Sequence, residues 1–288
     1  MVEYNLNKTV DTIEDAIALD TDEKINLIVK FCDHLEHGEY SIEVKKRMLE
    51  VTPAEEAYVF KNYESTLGLF NTLSGAEKAL AKRWTIEMAE GMCTFLKKSI
   101  YSTKDLNDYC YYVAGTVGIY LTGLLKLKGH NISGNVMSNL EENAVPFGLF
   151  LQKLNIIRDY GEDKENKKRS FWPRDLLKDE KNPVKILNSM CYETLINDVP
   201  KAIEYIKEIP AGNESYDYFL RFILSSGIEY LKILKNNAAV FLKDKVKLPR
   251  AFIKSLYGRV SSMSREEFGE YCDKAHAEEM AFYGNLLR

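Results

Sequence analysis

Acidic side chains occur twice in the chain with the same spacing, D-x-x-E-D. The two triplets are Asp11, Glu14 and Asp15, and Asp159, Glu162 and Asp163. On a helix these positions are i, i+3 and i+4, so each triplet directs its carboxylates from one helix face. Carboxylates this close repel one another unless a cation lies among them, and Mg²⁺ accepts such oxygen ligands together with water and substrate phosphates. Two triplets facing each other across a cleft are therefore predicted to bind Mg²⁺ and a diphosphate and to promote its ionisation.

The alternative for each triplet is a solvated acidic helix face, which is the usual role of a charge run. The second triplet departs from that pattern because it ends a strongly apolar segment, residues 145–158. A buried carboxylate is costly unless a cation accompanies it. Arg158 adjoins the triplet, and Lys167, Lys168 and Arg169 follow it. The sequence thus supplies cations for a metal-bridged anion and for a leaving group.

Helices must position these side chains, because apolar residues recur with the helical period through most of the chain, for example from Trp84 to Phe95. Glycine and proline breaks divide the chain into about ten helical segments. Ser74 followed by Glu77 is typical of a helix N-terminus. We predict an all-α protein with one compact domain over residues 1–288.

The composition is that of a globular protein: 288 residues, 45% of them hydrophobic, with 39 Lys and Arg against 43 Asp and Glu, a net charge of −4. This composition excludes a disordered chain, and the sequence has no long basic run of the kind that binds nucleic acid. The five cysteines form no C-x-x-C pair, which argues against a disulfide framework or a thiolate zinc site. The longest nearly uncharged stretch, Tyr109 to Leu125, is shorter than the roughly 20 residues of a membrane span. We therefore expect a cytoplasmic protein.

Three stretches resemble the motifs of squalene synthases and occur in the same order as in that family. Residues 11–15 resemble its first aspartate-rich motif, with Lys8 where the family commonly places an arginine. Residues 109–118, YCYYVAGTVG, resemble its helix of tyrosines and small residues. Residues 147–163, FGLFLQKLNIIRDYGED, followed by RSFWP at 169–173, resemble its second aspartate-rich motif. The R-x-F-W-P ending favours squalene synthase over phytoene synthase.

The resemblance implies the all-α isoprenoid synthase fold, a helical bundle around a central cavity, and a head-to-head prenyl transferase. In that family two farnesyl diphosphates condense with Mg²⁺ to presqualene diphosphate, which is rearranged to squalene with NADPH. Two alternatives stay open. One is a dehydrosqualene or phytoene synthase, in which the cyclopropyl intermediate opens without reduction. The other is a degenerate, non-catalytic homologue that needs a partner subunit.

At matching positions, the resemblance also assigns roles to single residues. The two triplets would hold Mg²⁺, and their aspartates would be catalytic. A tyrosine would transfer a proton, three basic residues would bind diphosphate, and four polar or basic residues would lie near NADPH. The tyrosine is Tyr109, and the diphosphate-binding residues are Lys8, Arg158 and Arg169. The residues near NADPH are Gln152, Asn155, Lys247 and Arg250.

The chain departs from the family at several points. Relatives carry further helices before the first motif, so we expect a truncated product, a partner chain that supplies the missing cavity wall, or lost activity. Ala16 replaces an acid that often follows the first motif, and Leu154 stands where a small hydroxyl residue is common. Pro249 interrupts the basic segment that contains Lys247 and Arg250. The membrane anchor of eukaryotic relatives is not found, so any membrane contact is expected to be peripheral and to serve product release.

Overall fold

A computed structural model describes residues 2–38, 41–128, 132–166, 170–178, 182–242 and 246–286. The regular structure in these ranges is helical, without a β-strand, which confirms the all-α prediction. Two compact units emerge, each of which is considered by itself: Met1–Ser99 with Ile119–Gly129, and Ile100–Gly118 with His130–Arg288. The single-domain organisation stays a prediction.

Together with residues 119–127 of a helix that begins in the second unit, six helices form the first unit. They are α1 (Val2–Asp15), α2 (Thr21–His37), α3 (Ile42–Val51), α4 (Tyr58–Lys61), α5 (Tyr63–Thr72) and α6 (Gly75–Lys97). α1 packs against α2 and α6 and contributes fully buried Leu6, Val10 and Ile13 to the core. At the start of α6, the Ser74 side chain and the Glu77 side chain each accept a hydrogen bond from the other's backbone N–H, which confirms the predicted N-terminus.

The second unit contains the remaining helices. They are α7 (Thr103–Cys110), a π-helical turn (Tyr111–Gly115), α8 (Thr116–Leu127, which continues into the first unit), α9 (Gly134–Arg158), α10 (Tyr160–Asn166), α11 (Arg174–Leu177), α12 (Pro183–Asn197), α13 (Val199–Lys207), α14 (Glu214–Leu234), a 3₁₀ turn (Ala238–Phe241), α15 (Arg250–Ser262) and α16 (Arg265–Leu286). α9 lies at its centre and packs against α12, α13, α14 and the π-helical turn. The described ranges thus hold sixteen α-helices rather than about ten, because short helices form in the connections and two long runs are interrupted.

Two glycines let α9 approach the helical run that crosses it. A Cβ atom on Gly148 would lie 2.3 Å from the carbonyl oxygen of Ala114, and one on Gly118 would lie 2.2 Å from that of Ala144. Real Cβ atoms do not come this close to backbone oxygen, so both positions require glycine. The small residues of the stretch 109–118 therefore form a packing surface for α9.

One helical run, Thr103–Leu127, is long and apolar enough to cross a membrane by length and composition, and 33% of its most apolar window is buried. Core helices also meet this criterion, so the expectation that the stretch does not span a membrane stays a prediction.

A buried polar cluster lies between α1 and α6 in the first unit. Glu3 is 7% exposed, and its Oε1 lies 3.4 Å from Thr85 Oγ1, which also donates a hydrogen bond to Asn7 Oδ1 at 3.0 Å. Burial raises the pKa of Glu3 to about 8, although hydrogen bonds from Asn7 and Thr85 act in the opposite direction. The Glu3 carboxyl is therefore protonated at neutral pH.

Replacing Gly148 by alanine is expected to destabilise the protein by about 1–3 kcal/mol, because the new methyl group collides with the Ala114 backbone. Gly284→Ala in α16 is the matched control, since a Cβ there meets no atom within 4 Å and helix propensity favours alanine by up to about 1 kcal/mol. Urea unfolding of both variants measures the difference. Equal stability of the two variants would contradict the close approach of α9.

Glu3 should make the free energy of unfolding depend on pH. Its folded-state pKa is raised, so its stabilising contribution is complete below about pH 4.5 and is lost as the pH rises through about 8. Glu3→Gln stays neutral and should lose less stability than the wild type between about pH 5 and about pH 8, by up to about 1.4 kcal/mol per pH unit. The exposed Glu56→Gln variant serves as control and should follow the wild type. Parallel curves for the wild type and Glu3→Gln would refute the buried neutral carboxyl.

Candidate active site

The second triplet begins where α9 ends, at an ion pair between neighbouring residues. Arg158 Nε lies 2.6 Å from Asp159 Oδ1 and Nη2 lies 2.7 Å from Oδ2. Consecutive residues of a regular helix do not face each other. Asp159 caps α9 with φ −97° and ψ 8°, outside the helical range, and this backbone change turns its carboxylate towards Arg158. The result is a two-point guanidinium–carboxylate pair at the end of the apolar helix.

The environment of Arg158 keeps its positive charge in place. Burial disfavours the charged form, but the hydrogen bonds and charge of Asp159 outweigh it, so the pKa of Arg158 is raised. Its guanidinium carbon also lies 5.3 Å from the centre of the Tyr230 ring on α14, a cation–π contact. A guanidinium has five N–H donors, of which Asp159 takes two. Arg158 is thus a permanent cation beside the acidic triplet.

The other two acids of this triplet lie on α10. The backbone N–H of Asp163 donates to the carbonyl of Asp159 at 2.9 Å, which places the two aspartates one helical turn apart. Asp163 is only 8% exposed, and Glu162 is half-buried. Because both side chains are at least partly buried, the alternative of a solvent-exposed acidic helix face does not describe Glu162 and Asp163.

Aromatic residues connect the region of the second triplet to the segment 169–173 and to Tyr109. Trp172 Nε1 donates to the carbonyl of Ile156 on α9 at 3.0 Å, and the Trp172 and Tyr160 rings lie 4.4 Å apart. The adjacent Phe171 ring stacks on Tyr109 at 4.8 Å. Tyr109, 3% exposed at the end of α7, is therefore connected through the F-W-P segment to the end of α9.

Four candidate cofactor residues lie at two places in the second unit. Gln152 and Asn155 are one turn apart on α9, where Asn155 is exposed and its Nδ2 donates to Gln152 Oε1 at 3.5 Å. Lys247 precedes α15 and Arg250 begins it; both are exposed, and neither side chain forms an ion pair or hydrogen bond with another described residue. Gln152 and Asn155 thus lie together on α9, and Lys247 and Arg250 lie together at the start of α15.

The first triplet lies at the end of α1 in the first unit. Lys8 Nζ is 2.5 Å from Asp11 Oδ2. Burial acts against the charge of Lys8, but Asp11 and, more weakly, Asp15 outweigh it and raise the Lys8 pKa. Glu14 is 3% exposed, and its charge adds to the burial that raises the pKa of Cys93 on α6. Asp11 and Asp15 therefore share the environment of Lys8, whereas Glu14 belongs to the packed side of α1.

The remaining predicted diphosphate ligand, Arg169, lies outside the described residues, as do Lys167 and Lys168.

The donor chemistry of the acids suits a hard divalent cation. Where the structure describes the chain, no three acidic, histidine or cysteine side chains lie close enough to form a metal site by themselves. Mg²⁺ is usually held by one or two carboxylates together with water and substrate phosphates, and not by an all-protein cage. Asp159 and Asp163, one turn apart beside Arg158, fit that mode of binding.

Sequence patterns did not reveal three contacts of this region. The Tyr230 ring below Arg158 comes from a distant helix, and the Tyr109–Phe171 stack joins two motifs whose separation along the chain says nothing about distance. Lys153, inside the α9 motif, forms buried ion pairs with acids that follow. A lysine within an apolar helical run was the one available signal, since a buried lysine needs a carboxylate partner.

Comparison with known proteins agrees with these motifs. A family model described as squalene/phytoene synthase matches residues 1–252. Squalene synthase 3 of Panax ginseng is 28% identical over 286 residues, which cover 94% of this chain and 65% of the relative. Squalene synthase of Solanum lycopersicum is 29% identical over 293 residues, with 94% and 65% coverage. The chain thus spans about 65% of the length of these curated relatives.

Solved structures show the same fold. TcSQS in complex with the ligand E5700 aligns with a TM-score of 0.79 and 25% identity over 98% of this chain and 90% of that one. A dehydrosqualene synthase in complex with a ligand aligns with a TM-score of 0.51 and 18% identity over 91% and 98%. The isoprenoid synthase fold expected from the motifs is confirmed. On its motifs, its fold and the family model that covers most of its length, the chain belongs to the squalene/phytoene synthase family.

Proposed function

We propose that the chain catalyses the squalene synthase reaction, the head-to-head condensation of two farnesyl diphosphates through presqualene diphosphate to squalene. One observation carries the proposal. Asp159 pairs with a permanent cation, Arg158, at the end of an apolar helix that the F-W-P segment connects to Tyr109, and the buried Asp163 follows Asp159 by one helical turn. The names of the relatives support the same reaction.

The acids are proposed to hold Mg²⁺ with few protein ligands. Asp159, Glu162 and Asp163 would hold it in the second unit, and Asp11 and Asp15 in the first, directly or through water. Glu14, which the spacing groups with them, is buried on the packed side of α1 and is not proposed as a ligand. When bound, Mg²⁺ neutralises the phosphate oxygens and favours departure of the diphosphate. The backbone hydrogen bond from the Asp163 N–H to the Asp159 carbonyl keeps these two residues one helical turn apart, which supports this role.

The basic residues are proposed to bind the diphosphate. Arg158 has N–H donors beyond the two that Asp159 receives and the one that interacts with Tyr230, and its planar group suits phosphate oxygens. Lys8 and Arg169 are the further candidates. Because the pKa of both Arg158 and Lys8 is raised, the two side chains stay charged across the neutral pH range.

Tyr109 is proposed to transfer a proton during the condensation. Its ring is buried and stacked on Phe171, which fixes the direction of the phenol and limits access of water. A carbocation formed by ionisation of an allylic diphosphate would be quenched by water, so an ordered aromatic surround is an advantage.

NADPH is the proposed reductant. Lys247 and Arg250 are exposed cations without an ion-pair partner among the described residues, so their charge is available to the phosphates of a dinucleotide. Gln152 and Asn155 offer amide groups on α9 for hydrogen bonds to substrate or cofactor. Bound NADPH would supply the hydride that converts the cyclopropyl intermediate into squalene.

Two other functions remain as alternatives. A dehydrosqualene or phytoene synthase would omit the reduction, and the structural likeness to a dehydrosqualene synthase favours it as the second candidate. A non-catalytic homologue would need a partner chain. We further propose a cytoplasmic location, supported by the five free cysteines, with peripheral membrane contact for product release.

Asp163→Asn should lower diphosphate release from farnesyl diphosphate by about 100-fold or more, because it removes one charge from the proposed Mg²⁺ and diphosphate site. Glu165→Gln, an exposed acid on the same helix, is the matched control and should keep wild-type activity. Diphosphate release is measured with saturating Mg²⁺, after circular dichroism has shown that both variants are folded. Full turnover by Asp163→Asn would contradict the proposed site.

Product analysis separates the reductive reaction from its alternatives. With farnesyl diphosphate, Mg²⁺ and NADPH the purified chain should form squalene, and without NADPH it should accumulate presqualene diphosphate. A conjugated polyene formed without NADPH would identify a dehydrosqualene or phytoene synthase. Absence of both diphosphate release and Mg²⁺-dependent substrate binding would favour the non-catalytic homologue.

A further inference from the structure

A small cavity lies inside the second unit, between α7, α9, α11 and α12. Its volume is about 220 Å³. Leu106, Leu176 and Met190 provide apolar walls, and Ser189 and Glu193 of α12 provide polar ones. Cavities that bind drug-sized molecules span roughly 300–1,000 Å³, so this one suits a smaller ligand and not a prenyl chain.

A buried ion cluster forms one side of the cavity. Lys153 Nζ lies 2.7 Å from Asp198 Oδ2, 3.0 Å from Glu193 Oε2 and 3.2 Å from Glu193 Oε1. The side chains of Lys153 and Asp198 are 1% and 5% exposed, whereas that of Glu193 is 28% exposed. Glu193 is therefore the member of the cluster that a ligand can reach.

The cluster carries more negative than positive charge. Two carboxylates face one ammonium, and Lys153 is the one cation among the described residues that line the cavity. Burial raises the pKa of Asp198 to about 6, with Lys153 acting in the opposite direction, so Asp198 is ionised at about pH 8. Burial also raises the pKa of the neighbouring Cys110 thiol, which stays neutral.

The N-terminus of α7, the positive end of its helix dipole, already has an acid of its own. The Asp105 carboxylate accepts hydrogen bonds from the backbone N–H groups of Tyr101 and Ser102, and the backbone N–H of Asp105 donates to the Ser102 hydroxyl. Lys104, on the same helix, pairs with Asp108 at 2.6 Å. Glu193 Oε1 accepts a further hydrogen bond from Asn197 Nδ2 at 3.2 Å, but among the described residues Lys153 is its one ion-pair partner, so the excess carboxylate charge lies at Glu193.

We propose that this cavity binds a small organic ammonium ion, with its charged nitrogen on the Glu193 carboxylate and a short alkyl body against Leu106, Leu176 and Met190. An ammonium group donates to a carboxylate and supplies the missing positive charge, and the apolar walls favour an alkyl group over an inorganic ion. The site is separate from the acids assigned to diphosphate, and the proposal does not depend on the reaction that the chain catalyses.

Isothermal titration calorimetry of the full chain with n-butylammonium chloride at about pH 8 tests the proposal. Saturable binding to one site is expected. The neutral isostere n-butanol and sodium chloride at the same concentrations should give no comparable signal. Wild-type protein without saturable binding, or with equal affinity for n-butanol, would overturn the proposal.

Three variants locate the site. Glu193→Gln should weaken n-butylammonium binding about tenfold by removing the carboxylate charge. Ser189→Phe should abolish binding by filling the cavity while every charge of the cluster is retained, which covers the case that Glu193→Gln does not fold. Glu142→Gln, an exposed acid paired with Lys201 at 2.7 Å, should bind as the wild type does. Unchanged binding by folded Ser189→Phe would place the ligand elsewhere and refute the site.

Discussion

The compensation of buried negative charge is the constraint on which the second unit depends. Removing a carboxylate from water costs several kcal/mol unless a cation and hydrogen bonds replace the water, so each buried acid needs a partner. Asp159 receives two hydrogen bonds from Arg158, and Asp198 receives the ammonium of Lys153. Both cations come from α9, which therefore supplies charge compensation on two sides. The catalytic proposal and the ammonium proposal both concern places where carboxylates outnumber these cations.

Packing decides where that charge is presented. Gly118 and Gly148 allow α9 to approach the helical run that contains Tyr109, and the indole of Trp172 binds the α9 backbone at Ile156. These contacts join the tyrosine and small-residue motif, residues 109–118, to the second aspartate-rich motif, residues 147–173. Because they involve backbone oxygens and fully enclosed rings, they tolerate little change. The small and aromatic residues of the motifs thus have a structural role that the proposed chemistry requires.

The sequence predicted the helical class and the helix start at Ser74, because periodicity and local capping are encoded within a few residues. It also indicated that the second triplet ends an apolar helix. It did not predict the Arg158–Asp159 pair, since neighbouring residues meet only where the backbone leaves the helix, as it does at Asp159. The burial of Glu14 likewise depends on α6, whose position relative to α1 is set by tertiary packing. Hydrophobic periodicity predicts individual helices, but it does not predict long-range contacts of this kind.

The central claim is that the acids of the second triplet bind a diphosphate through Mg²⁺. The direct test is the thermodynamic linkage between Mg²⁺ and an unreactive substrate analogue, farnesyl thiodiphosphate, measured by calorimetry on the full chain. Metal-bridged binding predicts that the analogue raises Mg²⁺ affinity about tenfold or more and that Mg²⁺ raises the affinity for the analogue by the same factor. Independent binding of the two ligands, with neither affinity changed by the other, would contradict the account.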